Sequence, residues 1–424
     1  SDAKDGAAEN RNIATVSNEG IVGETGKNTT VTGDVTTTGE TSDGVTADGS
    51  NTKVTVKGNV TVSGTGSAGV SANNNATVEV TGNVQAKGDN QTHKGQTGGT
   101  YIDKWADGVQ ADNGSKVTVD GNVTSQKGWA IDSHGSEVTV NGDVHSEKGS
   151  AINARKGSTI TIDGSVSSNA GITLGSIIET TDSTIRITKD VTAKNAWGIF
   201  AGPGADIEVG GNVSSEKEAV YITGNGALIV VDGNVYSTKG CAMDVLNHAE
   251  ATVKGDVSGN IQAMWMDNSS KLQALGKISS NDVGILLSLY GDQGTGELDL
   301  GTIDAQTAIS INYGEYKDID KILAALPEMT VYKMNADTLL RLYTKSEGLS
   351  LKEASDLAEK ILMEKLQYAI RKQDTSNGKI NIADELTKAK EGQTLTFSVV
   401  ANDGYEVDSV SAGGENIPVI KNDN

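Results

Sequence analysis

Val117-Thr-Val-Asp-Gly-Asn-Val-Thr-Ser125 returns 21 residues later as Val138-Thr-Val-Asn-Gly-Asp-Val-His-Ser146, and 22 residues after that as Ile160-Thr-Ile-Asp-Gly-Ser-Val-Ser-Ser168. In each copy apolar and polar residues alternate, a Gly with an Asn, Asp or Ser after it interrupts, and the alternation resumes. Period-2 alternation marks a half-buried strand. A third short strand follows in each of the first two units, Ala130-Ile-Asp-Ser133 and Ala151-Ile-Asn-Ala154. The inward positions then read Val117, Val119, Val123 and Ile131, next Val138, Val140, Val144 and Ile152, next Ile160, Ile162 and Val166.

The same corner recurs along the chain. Gly-Asn/Asp-Val stands at Gly33, Gly58, Gly82, Gly121, Gly142, Gly211, Gly233 and Gly255, with variants at Gly164, Lys189, Gly276 and Gly301. Successive gaps are 25, 24, 39, 21, 22, 25, 22, 22, 22, 21 and 25 residues, a period near 22 that identifies stacked units. Three strands this short cannot bury a face alone, so each unit must lie on the next at about 4.8 Å, giving a rod of roughly 55–60 Å. The corner Gly is expected to supply a positive φ, as are the Gly-Ser pairs before each first strand. The fold class is therefore predominantly all-β, a right-handed parallel β-helix of about twelve coils over residues 28–315, the hand following from crossover preference. These residues resemble the right-handed parallel β-helix proteins, which include autotransporter passengers, filamentous adhesins and pectate lyases. The resemblance implies the architecture and, more weakly, a surface-exposed life.

Composition agrees with a thin core. The chain has 52 Gly, 3 Pro and 4% aromatic residues, and its strict periodicity argues against disorder. A formal charge of −21, from 35 Lys+Arg against 56 Asp+Glu, argues against nucleic acid. The single cysteine, Cys241, cannot form an intramolecular disulfide and reads as a small apolar replacement in a strand. No run of 18 apolar residues is present, so no membrane span is expected. The chain opens at Ser1 without an apolar signal core, as expected where an export signal has been trimmed, and residues 1–27 read as an N-terminal cap or disordered segment.

Two departures from the period stand out. The 39-residue gap holds an insertion, Asp89 to Asp107, carrying Tyr101 and Trp105, and a shorter one runs from Gly291 to Gly296. Loops leaving one face of a solenoid commonly carry recognition. In the third strand the outward positions read Gln110, Asp132, Asn153 and Thr173, then Phe200, Tyr221, Asp244, Trp265 and Leu286. The face turns from polar to apolar, and an apolar stripe needs cover.

Residues 316–373 change period. Ile319, Ile322, Leu323 and Leu326, ending at Pro327, read as a short helix closing the rod's open end. A second helix starts at the capping box Ser350-x-x-Glu353, and its Leu357, Ile361 and Leu362 are expected to pack on the apolar stripe. Residues 374–424 return to strands, with Glu391-Gly-Gln-Thr-Leu-Thr-Phe397 and Asn402-Asp-Gly-Tyr-Glu-Val-Asp-Ser-Val410. These segments resemble the small β-repeat modules of internalin-like bacterial surface proteins, although the final Phe/Thr/Val-rich strand of such a module does not follow.

Chemistry is sparse. His93, His134, His145 and His248 lack a metal-ligand spacing, although His134 and His145 belong to adjacent coils and could approach one another. Arg155 and Arg186 are the rod's arginines, and neither adjoins an evident carboxylate trio of the kind lyases use. Asp132, Asp206 and Glu208 read as solvated charges before glycosidase carboxylates. The column Thr55, Thr118, Thr139 and Thr161 reflects β-propensity. No catalytic residue, metal or cofactor is assigned. The expected function is a non-catalytic, secreted or cell-surface adhesion or display protein that binds carbohydrate or host glycoprotein, with Tyr101, Trp105, Trp129, Phe200, Tyr221 and Trp265 as candidate ligand-binding residues. The alternative is a polysaccharide lyase or hydrolase on the same scaffold.

Overall fold

A computed structural model describes residues 9–12, 15–94, 100–169, 176–290, 294–344, 348–373, 375–412, 415–418 and 420. It is a parallel β-solenoid of about twelve turns. Short strands fall into three stacks. One coil contributes Lys116–Val119 to the first, Val123–Ser125 to the second and Ile131–His134 to the third. Each strand pairs in register with its counterpart one coil away, so Val117 lies on Val138, Val123 on Val144, and Ile131 on Ile152. Fully buried columns of like residues result, as in Val84, Val123, Val144, Val166, Val191, Val213, Val235 and Val257.

The corner glycines are required for a different reason from the expected one. Among the twelve anchors only Gly33 has a positive φ, at 107°. What the other glycines need is space. A Cβ on Gly58 would sit 2.5 Å from the Gly33 carbonyl oxygen, one on Gly255 would sit 2.5 Å from that of Gly233, and one on Gly276 would sit 2.3 Å from that of Gly255. The following Asn or Asp is equally constrained by stacking. Its Oδ1 accepts the backbone N–H of the residue one coil on: Asn59 from Asn83 (2.9 Å), Asn122 from Asp143 (2.7 Å), Asn212 from Asn234 (2.9 Å) and Asn234 from Asp256 (2.7 Å). Corner N–H groups that no strand can satisfy are thus paired. Apart from Gly33, positive φ falls at other turns. Between third and first strands, Gly114, Gly135 and Gly157 lie at 79°, 66° and 79°, as expected for the Gly-Ser pairs. At the remaining corner a buried serine column closes the turn, with Ser125, Ser146 and Ser168 Oγ donating to the Ala106, Gly128 and Gly149 carbonyls.

Parallel pairing runs past residues 28 and 315 in both directions. Glu9–Asn12 pairs with the strand beginning at Asn28, while Glu328–Met334, Thr338–Tyr343 and Leu366–Ala369 continue the stacks beyond residue 315. Among the described residues the third stack counts 14 strands. Toward the C-terminus the first two stacks merge, because the nine-residue strand Lys271–Ser279 pairs with both Glu250–Val253 and Val257–Ser258. The 39-residue gap is bridged without loss of register, Val84 lying on Val123 and Val70 on Val109. The surplus leaves the rod as an antiparallel hairpin of Gln91–Lys94 and Thr100–Lys104. In the second insertion residues 291–293 lie outside the described residues, and the Gly294 N–H meets the Ala324 carbonyl.

Helix α1 (Ile319–Ala325) is capped by Asp318, whose side chain accepts from the Asp320 and Lys321 N–H groups. Helix α2 (Leu351–Lys360) carries the expected capping box. Its packing differs from the expectation. Leu357 and Ile361 are fully buried in the core cluster that also holds Ile322, Leu323, Met329 and Val331, and α2 contacts α1 and Thr338–Tyr343. The helix therefore closes the C-terminal end of the rod and leaves the Phe200–Trp265 stripe to solvent. At that end Leu357 and Ile361 are removed from water completely, and apolar burial stabilises in proportion to the area covered. Beyond it, Gly378–Ile382 pairs with Phe397–Ala401 and Val410–Ala412 with Glu415–Ile417, both antiparallel.

Candidate functional site

The outward column of the third stack is fixed by register as Gln110, Asp132, Asn153, Glu179, Phe200, Tyr221, Asp244, Trp265, Leu286, Ser310 and Arg341. Glu179 holds the place expected for Thr173. Thr173 itself lies outside the described residues, and the surplus of that 25-residue unit enters just before the third strand.

The N-terminal half of this column is a polar relay. His134 Nδ1 lies 3.0 Å from Asp112 and its Nε2 3.4 Å from Asp132. Asn153 Nδ2 donates to Asp132 Oδ1 at 2.6 Å, Arg155 Nε donates to Asn153 Oδ1 at 2.9 Å, and Arg155 Nη2 approaches Glu179 at 3.6 Å. Burial pushes the Asp132 carboxyl above the usual range, opposed by His134, and burial does the same for Glu179. Asp107, which accepts the Trp129 N–H at 2.8 Å, is held well up by burial and by Asp132. His145 does not join His134. It sits in the second stack, on another face, against Ser167 and Glu147.

The next coils form an aromatic platform. The Phe200 and Tyr221 rings stack at 5.5 Å and 9°, and Trp197 and Tyr221 at 5.9 Å and 15°. Asp244 follows Tyr221 in the column, only 5% exposed, and its side chain hydrogen-bonds that of Glu218. Burial first, then Asp244, pushes the Glu218 carboxyl up to about 9, so it is protonated at neutral pH and shares its proton with Asp244. The single Cys241 S–H lies within reach of the Met243 and Ala263 carbonyls, and burial and Asp244 push its thiol up, leaving it a poor nucleophile. Gln262 Nε2 reaches Cys241 Sγ at 3.7 Å and also lines a cavity of 310 Å³ with Leu286, Ser310, Arg341 and Tyr343. Platform, acid pair and cavity thus run continuously along one face.

The six candidate residues fall into separate groups. Phe200 and Tyr221 meet in the platform, joined by Trp197, which lies just upstream of the alternating positions. Trp105 and Trp129 approach at 6.1 Å and 59° beside Asp107. Tyr101, 52% exposed on the hairpin, stacks on His93 at 5.7 Å. Trp265 is two coils from Tyr221, its Nε1 donating to Ser288 Oγ at 3.0 Å. Sequence reading missed Glu218, which precedes its strand and meets Asp244 only through stacking. Asp206 and Glu208 are structural partners of Arg186, at 2.7 and 2.9 Å. Among the described residues no group of three or more His, Cys, Asp or Glu side chains could hold a metal, and no helix is long and apolar enough to cross a membrane. Comparison with known proteins gave no match to a family model, a curated protein or a solved structure.

Proposed function

We propose that the protein is a secreted or cell-surface rod of the adhesin type that binds carbohydrate, free or on a glycoprotein, along the third face of its solenoid. The observation that carries this reading is the parallel stack of Trp197, Tyr221 and Phe200 on an outward face, flanked by the Glu218–Asp244 carboxyls. A flat aromatic surface accepts the C–H face of a sugar ring, and neighbouring carboxyl and amide groups take its hydroxyls. Rows of side chains repeating about every 4.8 Å suit an extended chain lying along the rod. The antiparallel strands after residue 374, similar to internalin-like modules, would then connect the rod to a surface.

The acid pair favours one catalytic alternative, a glycoside hydrolase, since a protonated carboxyl beside a second carboxyl is that chemistry's requirement. Its geometry opposes the alternative. Hydrolase carboxyls stand roughly 5–9 Å apart to admit a sugar or a water, whereas Glu218 and Asp244 are hydrogen-bonded to each other. Screening a panel of polysaccharides for both retention and bond cleavage tests the reading. Expected is retention without release of oligosaccharides, weakened about tenfold or more by Tyr221→Ala. Retention unaffected by Tyr221→Ala removes the platform from the proposal, and steady release of product makes the protein an enzyme.

A further inference from the structure

Among the described residues the Glu218 and Asp244 carboxyls have only each other and the Cys241 thiol as side-chain hydrogen-bond partners. Glu218 Oε1 and Asp244 Oδ1 are buried, and neither receives a hydrogen bond from a conventional donor. The ionisable groups acting on the two carboxyls are each other and the Cys241 thiol, and no lysine, arginine or histidine is among them. The nearest arginines along the face are already engaged, Arg155 with Glu179 and Arg341 with Asp282. Two neighbouring buried carboxyls require either a proton or a cation between them. In the free protein a shared proton fills that role. The Tyr221 ring precedes Asp244 in the column, and an aromatic face attracts positive charge. Glu218 keeps part of its surface open to solvent.

We propose that this site selects an amino sugar with a free ammonium group, its ring on the Tyr221 platform and its ammonium on the Glu218 and Asp244 carboxyls. The inference rests on the glycan reading above and narrows it to one class of sugar. The exchange balances. The Glu218 carboxylic acid gives its proton to solvent, and the ammonium keeps its three hydrogens and donates them to the freed oxygens, so one cation enters as one proton leaves.

The test is calorimetric titration of the full chain with oligomers of glucosamine and, separately, of N-acetylglucosamine. It is run at about pH 6.5 in two buffers of different ionisation enthalpy, with about 0.15 M salt to screen general attraction to the acidic surface. Glucosamine oligomers are expected to bind about tenfold more tightly than the acetylated ones, with about one proton released per site. Asp244→Asn and, independently, Glu218→Gln should abolish both the preference and the proton release. Equal affinity for the two oligomers, or a preference that survives in both variants, overturns the inference. If acetylated oligomers still bind in a Tyr221-dependent way, the glycan reading stands while the ammonium site falls. If neither oligomer binds at all, this inference falls, and the wider polysaccharide panel decides the glycan reading.

Discussion

Two columns run the length of this rod, and they differ in how often they repeat. At the first corner Gly and Asn or Asp recur coil after coil, because each glycine lies against the carbonyl of the one before and each Oδ1 takes the next coil's N–H. On the third face no residue type is kept for more than a coil: Gln110, Asp132, Asn153, Glu179, Phe200, Tyr221, Asp244, Trp265. Repetition here records a contact that every coil must make with its neighbour. Variation marks positions that stacking leaves free, and such positions are where a solenoid can encode recognition.

The sharpest break of this comparison lies in the core that both columns enclose. Val213 is fully buried between Val191 and Val235. Val213→Asp places an unpaired charge where neither water nor a cation reaches, and is expected to cost about 4 kcal/mol or more, read by thermal unfolding. A variant melting within about a degree of the parent would falsify the register. A paired measurement then separates repeated from varied positions. Gly255→Ala drives a Cβ to 2.5 Å from the Gly233 carbonyl oxygen and should cost about 2 kcal/mol in denaturant unfolding. Gln110→Ala, on the varied column, should stay within about 0.5 kcal/mol. Similar costs for the two would mean that the third face is structural as well.

The contrast also explains what the sequence made legible. The period, the aliphatic columns and the outward placement of Phe200, Tyr221 and Trp265 follow from alternation alone, since a strand has only two faces. The reason for the corner glycines did not, because their constraint is a carbonyl one coil away and not a local φ. Glu218 was invisible for the same reason: it lies 26 residues before Asp244, outside the alternating pattern, and only coil stacking joins them. The placement of α2 depended on two competing apolar surfaces. Sequence shows that its Leu357 and Ile361 need a partner, but which of the two surfaces they cover is decided by tertiary packing, which no local pattern encodes.

The remaining prediction concerns that acid pair and carries a definite sign. The Glu218 carboxyl titrates at about 9 in the folded chain because it is buried beside Asp244, whereas an unfolded glutamate titrates near 4.3. Between those values the folded state binds the extra proton, so the contribution of Glu218 to stability is fully present below about pH 4.3 and is lost as pH rises toward about 9. Asp244, Asp132, Asp107 and Glu179, all pushed up by burial, act in the same direction. Glu218→Gln removes one titrating group while keeping an amide N–H to donate to Asp244. Its melting temperature should therefore fall less steeply than the parent's across this window, with the difference growing toward alkaline pH. Parallel melting curves for the two proteins from pH about 5 to about 9 would mean that Glu218 ionises as an ordinary surface carboxylate. The shared proton, and with it the ground for an ammonium group on the third face, would then be lost.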